Sequence, residues 1–234
     1  MIKLIQNFKK KCFKSNKDII SKKLAIQSFG NVSQRIGSDL FVIKPSGVNL
    51  KKIKSNDLVI IEIGSGKIIK SKLKPSSDTE THRILYKKYP QIKGIAHAHP
   101  IFLTSWAQAG KPIPNLGTTH SDYWQKNIPI TKDLKKFEIK KNYELNTGKA
   151  IINTLIKKKL NPDYCPGILS KYHGAFAWGH SSDEAVKNLE AMEFIAELAF
   201  YTTIIGCKKK ISKNIIDKHF FRKHGKKKCT HIRT

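Results

Sequence analysis

Leu58-Val59-Ile60-Ile61-Glu62-Ile63-Gly64-Ser65-Gly66-Lys67-Ile68-Ile69 sets two apolar, mostly β-branched runs on either side of a Gly-Ser-Gly turn. Branching at Cβ favours extended backbone, and a short glycine-bearing connection returns the second run alongside the first. The segment reads as a hairpin, so the sheet it starts is antiparallel. Outward from it, Leu40 to Lys44 forms a further strand, closed by the turn Pro45-Ser46-Gly47. Phe29-Gly30-Asn31-Val32-Ser33 marks the change from a helical period over 1–26 to strands. Downstream, the pattern predicts a helix over 80–88, a strand over 93–97 and a helix over 101–109. A loop region follows over 111–131, then a helix over 147–159 and strands over 167–172 and 175–179. Helices over 183–206 and 212–223 complete the reading. No internal repeat or low-complexity linker interrupts the 234 residues. The expected fold is one α/β domain over 1–225, a largely antiparallel sheet flanked by helices on both faces, with a basic tail over 226–234.

The formal charge of +28 invites a nucleic-acid reading. Only four of the 45 basic residues are arginine, however: Arg35, Arg83, Arg222 and Arg233. Arginine is the better bidentate reader of bases and phosphates, and the lysines are spread through nearly every segment. The charge therefore predicts non-specific polyanion binding at low salt and argues against sequence-specific recognition. Cys12, Cys165, Cys207 and Cys229 are widely spaced and form no CxxC pair, which fits reduced thiols in the cytoplasm. Lysines break up the first 21 residues, so no signal peptide is expected. No apolar run approaches the length of a membrane span.

Ala96-His97-Ala98-His99 is the segment that carries chemistry. Residues two apart on a strand share a face, so His97 and His99 can reach one ion. An isolated His-x-His is common on half-buried strands and says little by itself. Asp78 and the remote His173 would complete an N/O donor set suited to a catalytic divalent metal. Three small-residue turns, Gly30-Asn31, Ser46-Gly47 and Ser76-Ser77, offer backbone N–H groups and short polar side chains. Lys44 would add charge to an anion site there, and Ser76-Ser77 falls at an expected helix N-terminus. Asp122, in the polar loop Thr118-Thr119-His120-Ser121-Asp122, is a candidate general acid or base.

Many ordered segments carry a resemblance. They include Gly30-Asn31-Val32-Ser33, Phe41-Val42-Ile43-Lys44-Pro45-Ser46-Gly47-Val48, Lys74-Pro75-Ser76-Ser77-Asp78-Thr79 and Thr81-His82-Arg83. Trp106-Ala107-Gln108-Ala109-Gly110, Gly117-Thr118-Thr119-His120, Asp122-Tyr123, His173-Gly174, Phe176-Ala177-Trp178-Gly179, Asp217-Lys218-His219 and Arg222-Lys223-His224-Gly225 continue it. Over about 28–225 the chain resembles the ribulose-phosphate 4-epimerases of the class II aldolase/adducin superfamily. The resemblance implies a three-layer fold with a largely antiparallel central sheet. It implies one Zn2+ per subunit on Asp78, His97, His99 and His173, with other divalent ions as substitutes. It implies a substrate phosphate held by Gly30, Asn31, Ser46, Gly47, Ser76 and Ser77, with Lys44 close by. It further implies a cyclic homotetramer with active sites at the subunit interfaces.

The implied reaction interconverts L-ribulose 5-phosphate and D-xylulose 5-phosphate. The hydrogen on carbon 4 is not acidic, because the ketone lies at carbon 2. Retro-aldol cleavage between carbons 3 and 4 gives the enediolate of dihydroxyacetone and glycolaldehyde phosphate. Zinc supplies Lewis-acid stabilisation of that charge. The aldehyde turns over, the bond re-forms, and protons must be handled at the carbon 4 hydroxyl on both faces. Asp122 matches the family's aspartate on one face. Asp78 matches the epimerase branch, whereas aldolases of fuculose and rhamnulose phosphates carry glutamate there. One departure stands out: the family's tyrosine near the C-terminus is replaced here by Cys229-Thr230. His231 or Cys229 takes its place, or water relays the proton, or activity is impaired. The alternatives are a paralogous pentulose-phosphate epimerase of ascorbate catabolism, a class II sugar-phosphate aldolase, or an adducin-like binding module, which the intact ligand set disfavours.

Overall fold

A computed structural model describes residues 2–206 and 210–225 of the chain. The hairpin takes its expected form: β3 (Val59–Glu62) pairs antiparallel with β4 (Ile68–Lys70). These two open a seven-stranded sheet with β1 (Asn31–Ile36), β2 (Leu40–Ile43), β5 (Gly94–Ala98), β6 (Gly167–Ser170) and β7 (Gly174–Gly179). The spatial order is β4-β3-β2-β1-β5-β7-β6, and every pairing between named strands is antiparallel. The sequence marks 29–33 as a transition but does not signal β1. Asn31, Ser33, Gln34 and Arg35 break the apolar pattern, yet all six β1 residues are buried. Each polar side chain has tertiary partners, and burial of that kind cannot be read from periodicity.

One face of the sheet carries α1 (Ile2–Ser21) and α7 (Ser182–Ile205). Asn16 Nδ2 of α1 donates to the Val32 carbonyl at 3.0 Å, and Ser15 Oγ lies 2.9 Å from Ser182 Oγ. Gly94, Ala96, Ala98, Ala175, Ala177 and Gly179 alternate with larger residues along β5 and β7, giving α7 a flat, small-residue seat. Gly94 is required there, since a Cβ would stand 2.2 Å from the Ser181 backbone. The Ser181 side chain caps α7 by accepting from Glu184 N–H at 3.0 Å.

The opposite face carries α2 (Thr79–Lys88) and, stacked on it, α6 (Tyr143–Lys157). Ser33, Ile95, His97, Phe176 and Trp178 point to this side through the register Ser33–Ile95–Trp178 and His97–Phe176. α6 begins at Tyr143, four residues before the start expected from the sequence, behind Asn142 in the left-handed region at φ 60°. The short helix α4 (Thr118–Ser121) occupies a stretch that reads as loop, and α5 (Lys136–Lys140) falls where the sequence signals no element; both are too brief for a periodic signal. α3 (Ile101–Gln108) is anchored where Glu193 accepts from the N–H groups of Phe102 and Leu103. α8 (Lys213–His224) packs against α4. Cys12 and Cys165 are buried free thiols, whereas Cys207 and Cys229 lie outside the described residues. No described helix is long and apolar enough to cross a membrane.

Candidate metal and anion site

Antiparallel pairing of β5 with β7 brings the histidines together. His97 projects from β5, His99 follows its last residue, and His173 precedes β7 in the turn from β6. His97 Nε2 lies 2.9 Å from His99 Nε2 and 3.1 Å from His173 Nε2, and the three ligand atoms fall within 4.8 Å of one another. Tetrahedral zinc with Zn–N bonds near 2.0–2.1 Å sets neighbouring donors about 3.3 Å apart. The spacing of this set fits such an ion.

The protonation state fits as well. His97 Nδ1 donates to the Ala175 carbonyl at 2.8 Å, so its Nε2 lone pair faces the cluster. Burial, then the neighbouring His173 and His99, hold the His97 imidazole well below its ordinary pKa. Burial and His173 push His99 down to about 4. His173 is also lowered by burial, against the pull of Asp78 and Glu144. Neutral imidazoles are the form that ligates metal.

Asp78 is the N-cap residue of α2, but its side chain makes no capping bond. Its Oδ2 instead accepts from Asn31 Nδ2 at 2.8 Å and stands 3.9 Å from His97 Nε2. The carboxylate is thus turned toward the histidines at the mouth of the cluster.

Two turns seen in the sequence are joined by backbone hydrogen bonds. Ser46 N–H donates to the Lys74 carbonyl and Ser76 N–H to the Lys44 carbonyl, both at 2.9 Å, around a bridge between Pro45 and Pro75. This zipper sets Ser46-Gly47 beside Ser76-Ser77. Lys44 is buried, donates from Nζ to the Ser28 carbonyl at 3.1 Å, and has a pKa lowered by burial against the opposing charge of Asp78. Gly30 sits at φ 86°, and a Cβ there would lie 2.8 Å from the His97 carbonyl oxygen. Both conditions demand glycine.

One cleft of about 260 Å3 is lined by Gly30, Asn31, Lys44, Ser46, Gly47, Ser76, Ser77, Asp78, His97, His99 and His173. Those are all the predicted metal- and phosphate-site residues. Tyr143 and Glu144 line it too, and the Tyr143 ring meets His173 edge-on with centroids 6.1 Å apart. Nothing in the sequence pointed to these two, because they reach the cleft only through the packing of α6 on α2.

Asp122 is placed elsewhere in the chain. Its carboxylate accepts from His219 Nδ1 at 3.1 Å and from Arg222 Nη2 at 3.0 and 3.2 Å, and its backbone carbonyl accepts from His224 Nε2 at 3.0 Å. It faces α8 and does not line the cleft of its own chain. Cys229, Thr230 and His231 lie outside the described residues.

A three-histidine cluster beside a carboxylate and two backbone-joined turns is thus carried on an antiparallel sheet between helical layers. Residues 10–200 match the family model for the Class II Aldolase and Adducin N-terminal domain, and the chain belongs to that family. Among solved structures, an L-fuculose 1-phosphate aldolase is 22% identical with a TM-score of 0.76, over 91% of this chain and 94% of the other. The L-fuculose 1-phosphate aldolase of Glaciozyma antarctica PI12 is 14% identical with a TM-score of 0.74, over 92% and 80%. A sugar-phosphate aldolase from Thermotoga maritima is 17% identical with a TM-score of 0.68, over 88% and 98%. At these identities the likeness establishes the fold.

Proposed function

We propose that the chain is a zinc-dependent epimerase that interconverts L-ribulose 5-phosphate and D-xylulose 5-phosphate by breaking and re-forming the bond between carbons 3 and 4. The observation that carries this reading is one cleft holding three converging imidazole Nε2 atoms, an aspartate beside them and two zipped small-residue turns next to a buried lysine. His97, His99 and His173, with Asp78, would hold the ion. Bound there, zinc would act as a Lewis acid that stabilises negative charge developing on the sugar's oxygens.

The remaining work falls to the protein. Ser46 and Ser76 use their N–H groups on the zipper, so Gly47, Ser77, the serine hydroxyls and Lys44 are left to grip a phosphate. The phosphate anchors the aldehyde fragment while it turns over, which favours recombination over escape. Asp122 would take and return the carbon 4 hydroxyl proton on one face, entering the cleft of a neighbouring chain in a cyclic tetramer. His231, Cys229 or a water would serve the other face. In this reading residues 1–225 form the catalytic domain.

The second reading is a sugar-phosphate aldolase, favoured by the activities named for the similar structures. Aspartate at 78, one methylene shorter than glutamate, favours the epimerase because it is less suited to protonating the enediolate carbon. The test is to incubate purified, zinc-loaded protein with L-ribulose 5-phosphate. Formation of D-xylulose 5-phosphate supports epimerisation. Accumulation of dihydroxyacetone and glycolaldehyde phosphate supports the aldolase, and no turnover of a zinc-loaded protein refutes both for this substrate.

A further inference from the structure

Asp78 is steered by a residue whose other end is left over. Asn31 Nδ2 donates to Asp78 Oδ2 at 2.8 Å, while Asn31 Oδ1 is buried with no hydrogen-bond partner among the described residues. Turning the amide over would set its oxygen against the carboxylate, acceptor against acceptor, so the orientation is dictated by chemistry.

One turn along α2 from Asp78, His82 is fully buried. Its Nδ1 lies 2.7 Å from Ser33 Oγ, which lies 2.7 Å from Tyr86 Oη. Ser33 Oγ is the one hydrogen-bond partner of the buried Tyr86 hydroxyl among the described residues, so the hydroxyl proton goes to Ser33 Oγ. The Ser33 proton then goes to His82 Nδ1. With Nδ1 accepting from Ser33, the neutral ring carries its one proton on Nε2. That N–H is likewise buried and without a partner among the described residues.

A lone donor and a lone acceptor therefore flank Asp78. They sit on the same side of the sheet, because Asn31 and Ser33 are two apart on β1 and His82 is bonded to Ser33. We propose that His82 Nε2–H is joined to Asn31 Oδ1 through one shared water, completing a one-way hydrogen-bonded chain from Tyr86 through Ser33, His82 and Asn31 to Asp78. Such a chain must end on a group that only accepts, and an ionised carboxylate is one. His82 is thereby a positioning residue: it fixes the Asn31 amide, which aims the carboxylate at the histidine cluster. The ring also packs edge-on against Phe176 at 6.0 Å, and Phe176 stacks on His97 at 4.1 Å, so the same residue supports both sides of the cluster. The inference rests on the metal reading of Asp78 made above.

The test joins a spectroscopic and a binding measurement on the full chain. Nitrogen-resolved histidine spectra of the metal-free protein near neutral pH should show His82 as the Nε2–H tautomer. An Nδ1–H tautomer would overturn the chain. Zinc affinity, read by competition with a chromophoric chelator, should fall roughly tenfold or more in His82→Leu, the scale of lost outer-shell support. His82→Gln, which retains an N–H donor, should recover most of it. Unchanged affinity in a folded His82→Leu would refute the positioning role. Should that variant fail to fold, Tyr86→Phe is the substitute: it deletes only the first hydroxyl, and a loss of the Nε2–H preference supports the chain while an unaltered tautomer refutes it. Wild-type protein that binds no zinc would sink the proposed function, and the tautomer would still decide the chain. Tight zinc binding without epimerase turnover would refute the function and leave this inference standing.

Discussion

His97 Nδ1 donates to the backbone carbonyl of Ala175 at 2.8 Å across the ladder between β5 and β7. The bond fixes which nitrogen carries the proton, so the strand pairing itself presents a bare Nε2 to His99 and His173. A carbonyl in a ladder cannot be mutated away, and this presentation is as rigid as the sheet. His97→Ala removes the central donor. Zinc affinity should fall by more than about 100-fold, beyond the range seen for outer-shell changes. Equilibrium dialysis with metal analysis checks this, and zinc retained at wild-type affinity would contradict the site.

Metal binding should also appear as stability. A ligand that binds only the folded chain raises the melting temperature in proportion to the logarithm of its excess over Kd. Zinc should raise the melting temperature of wild-type protein, a chelator should reverse the rise, and His97→Ala should show neither effect. Calorimetry with and without zinc decides.

Asp78→Glu adds one methylene at the carboxylate bonded to Asn31. The longer acid should reach the enediolate carbon and protonate it, raising release of free dihydroxyacetone relative to epimerised product. Product partition measured by chromatography is the readout, and an unchanged ratio would count against the role given to side-chain length.

Asp122→Asn should lower kcat about 100-fold, a typical loss for one acid/base group, while zinc content and melting temperature stay near wild type. Arg222→Ala removes a bond that orients the same carboxylate and should have a smaller effect in the same direction. If Asp122→Asn kept full turnover, the aspartate would be confined to anchoring α8.

The buried histidines set the pH dependence of the metal-free fold. Burial holds His82 down to about 3 and His120 down to about 4, against about 6.5 in an unfolded chain. As pH falls below about 6.5 the unfolded chain takes up protons that the folded chain refuses. Stability contributed by neutral burial is therefore complete above about 6.5 and is lost toward the folded pKa, by about 1.4 kcal/mol per pH unit for each such group. Urea midpoints of the metal-free protein should fall between about pH 6.5 and 5, and His120→Asn should flatten the slope. A midpoint independent of pH across that window would contradict the burial of neutral rings.

The antiparallel sheet was legible from the β-branched hairpin over 58–69, and the long helices from their apolar period. Strand alternation alone puts His97 and His99 on one side, which made the pair a candidate for sharing one ion but no more than that. The three small-residue turns were legible as turns, and a phosphate there was only what the resemblance implied. β1 escaped the pattern because Ser33, Gln34 and Arg35 are polar yet buried, satisfied by partners far away in the chain.

What the sequence by itself determined was the local chemistry: which residues could ligate, cap, turn or extend. What only the tertiary structure decided was convergence. The Lys44–Gly47 and Lys74–Ser77 loops become one cradle through two backbone bonds. Tyr143 and Glu144 enter the cleft because α6 stacks on α2. Asp122 turns to Arg222 and His219 on α8, about 100 residues away in sequence. Asp78 gives up the capping bond its position suggests and bonds Asn31 instead. The physical reason is the same throughout. Propensity and periodicity act over a few residues, whereas hydrogen-bond satisfaction in a buried interior is settled only when distant segments meet.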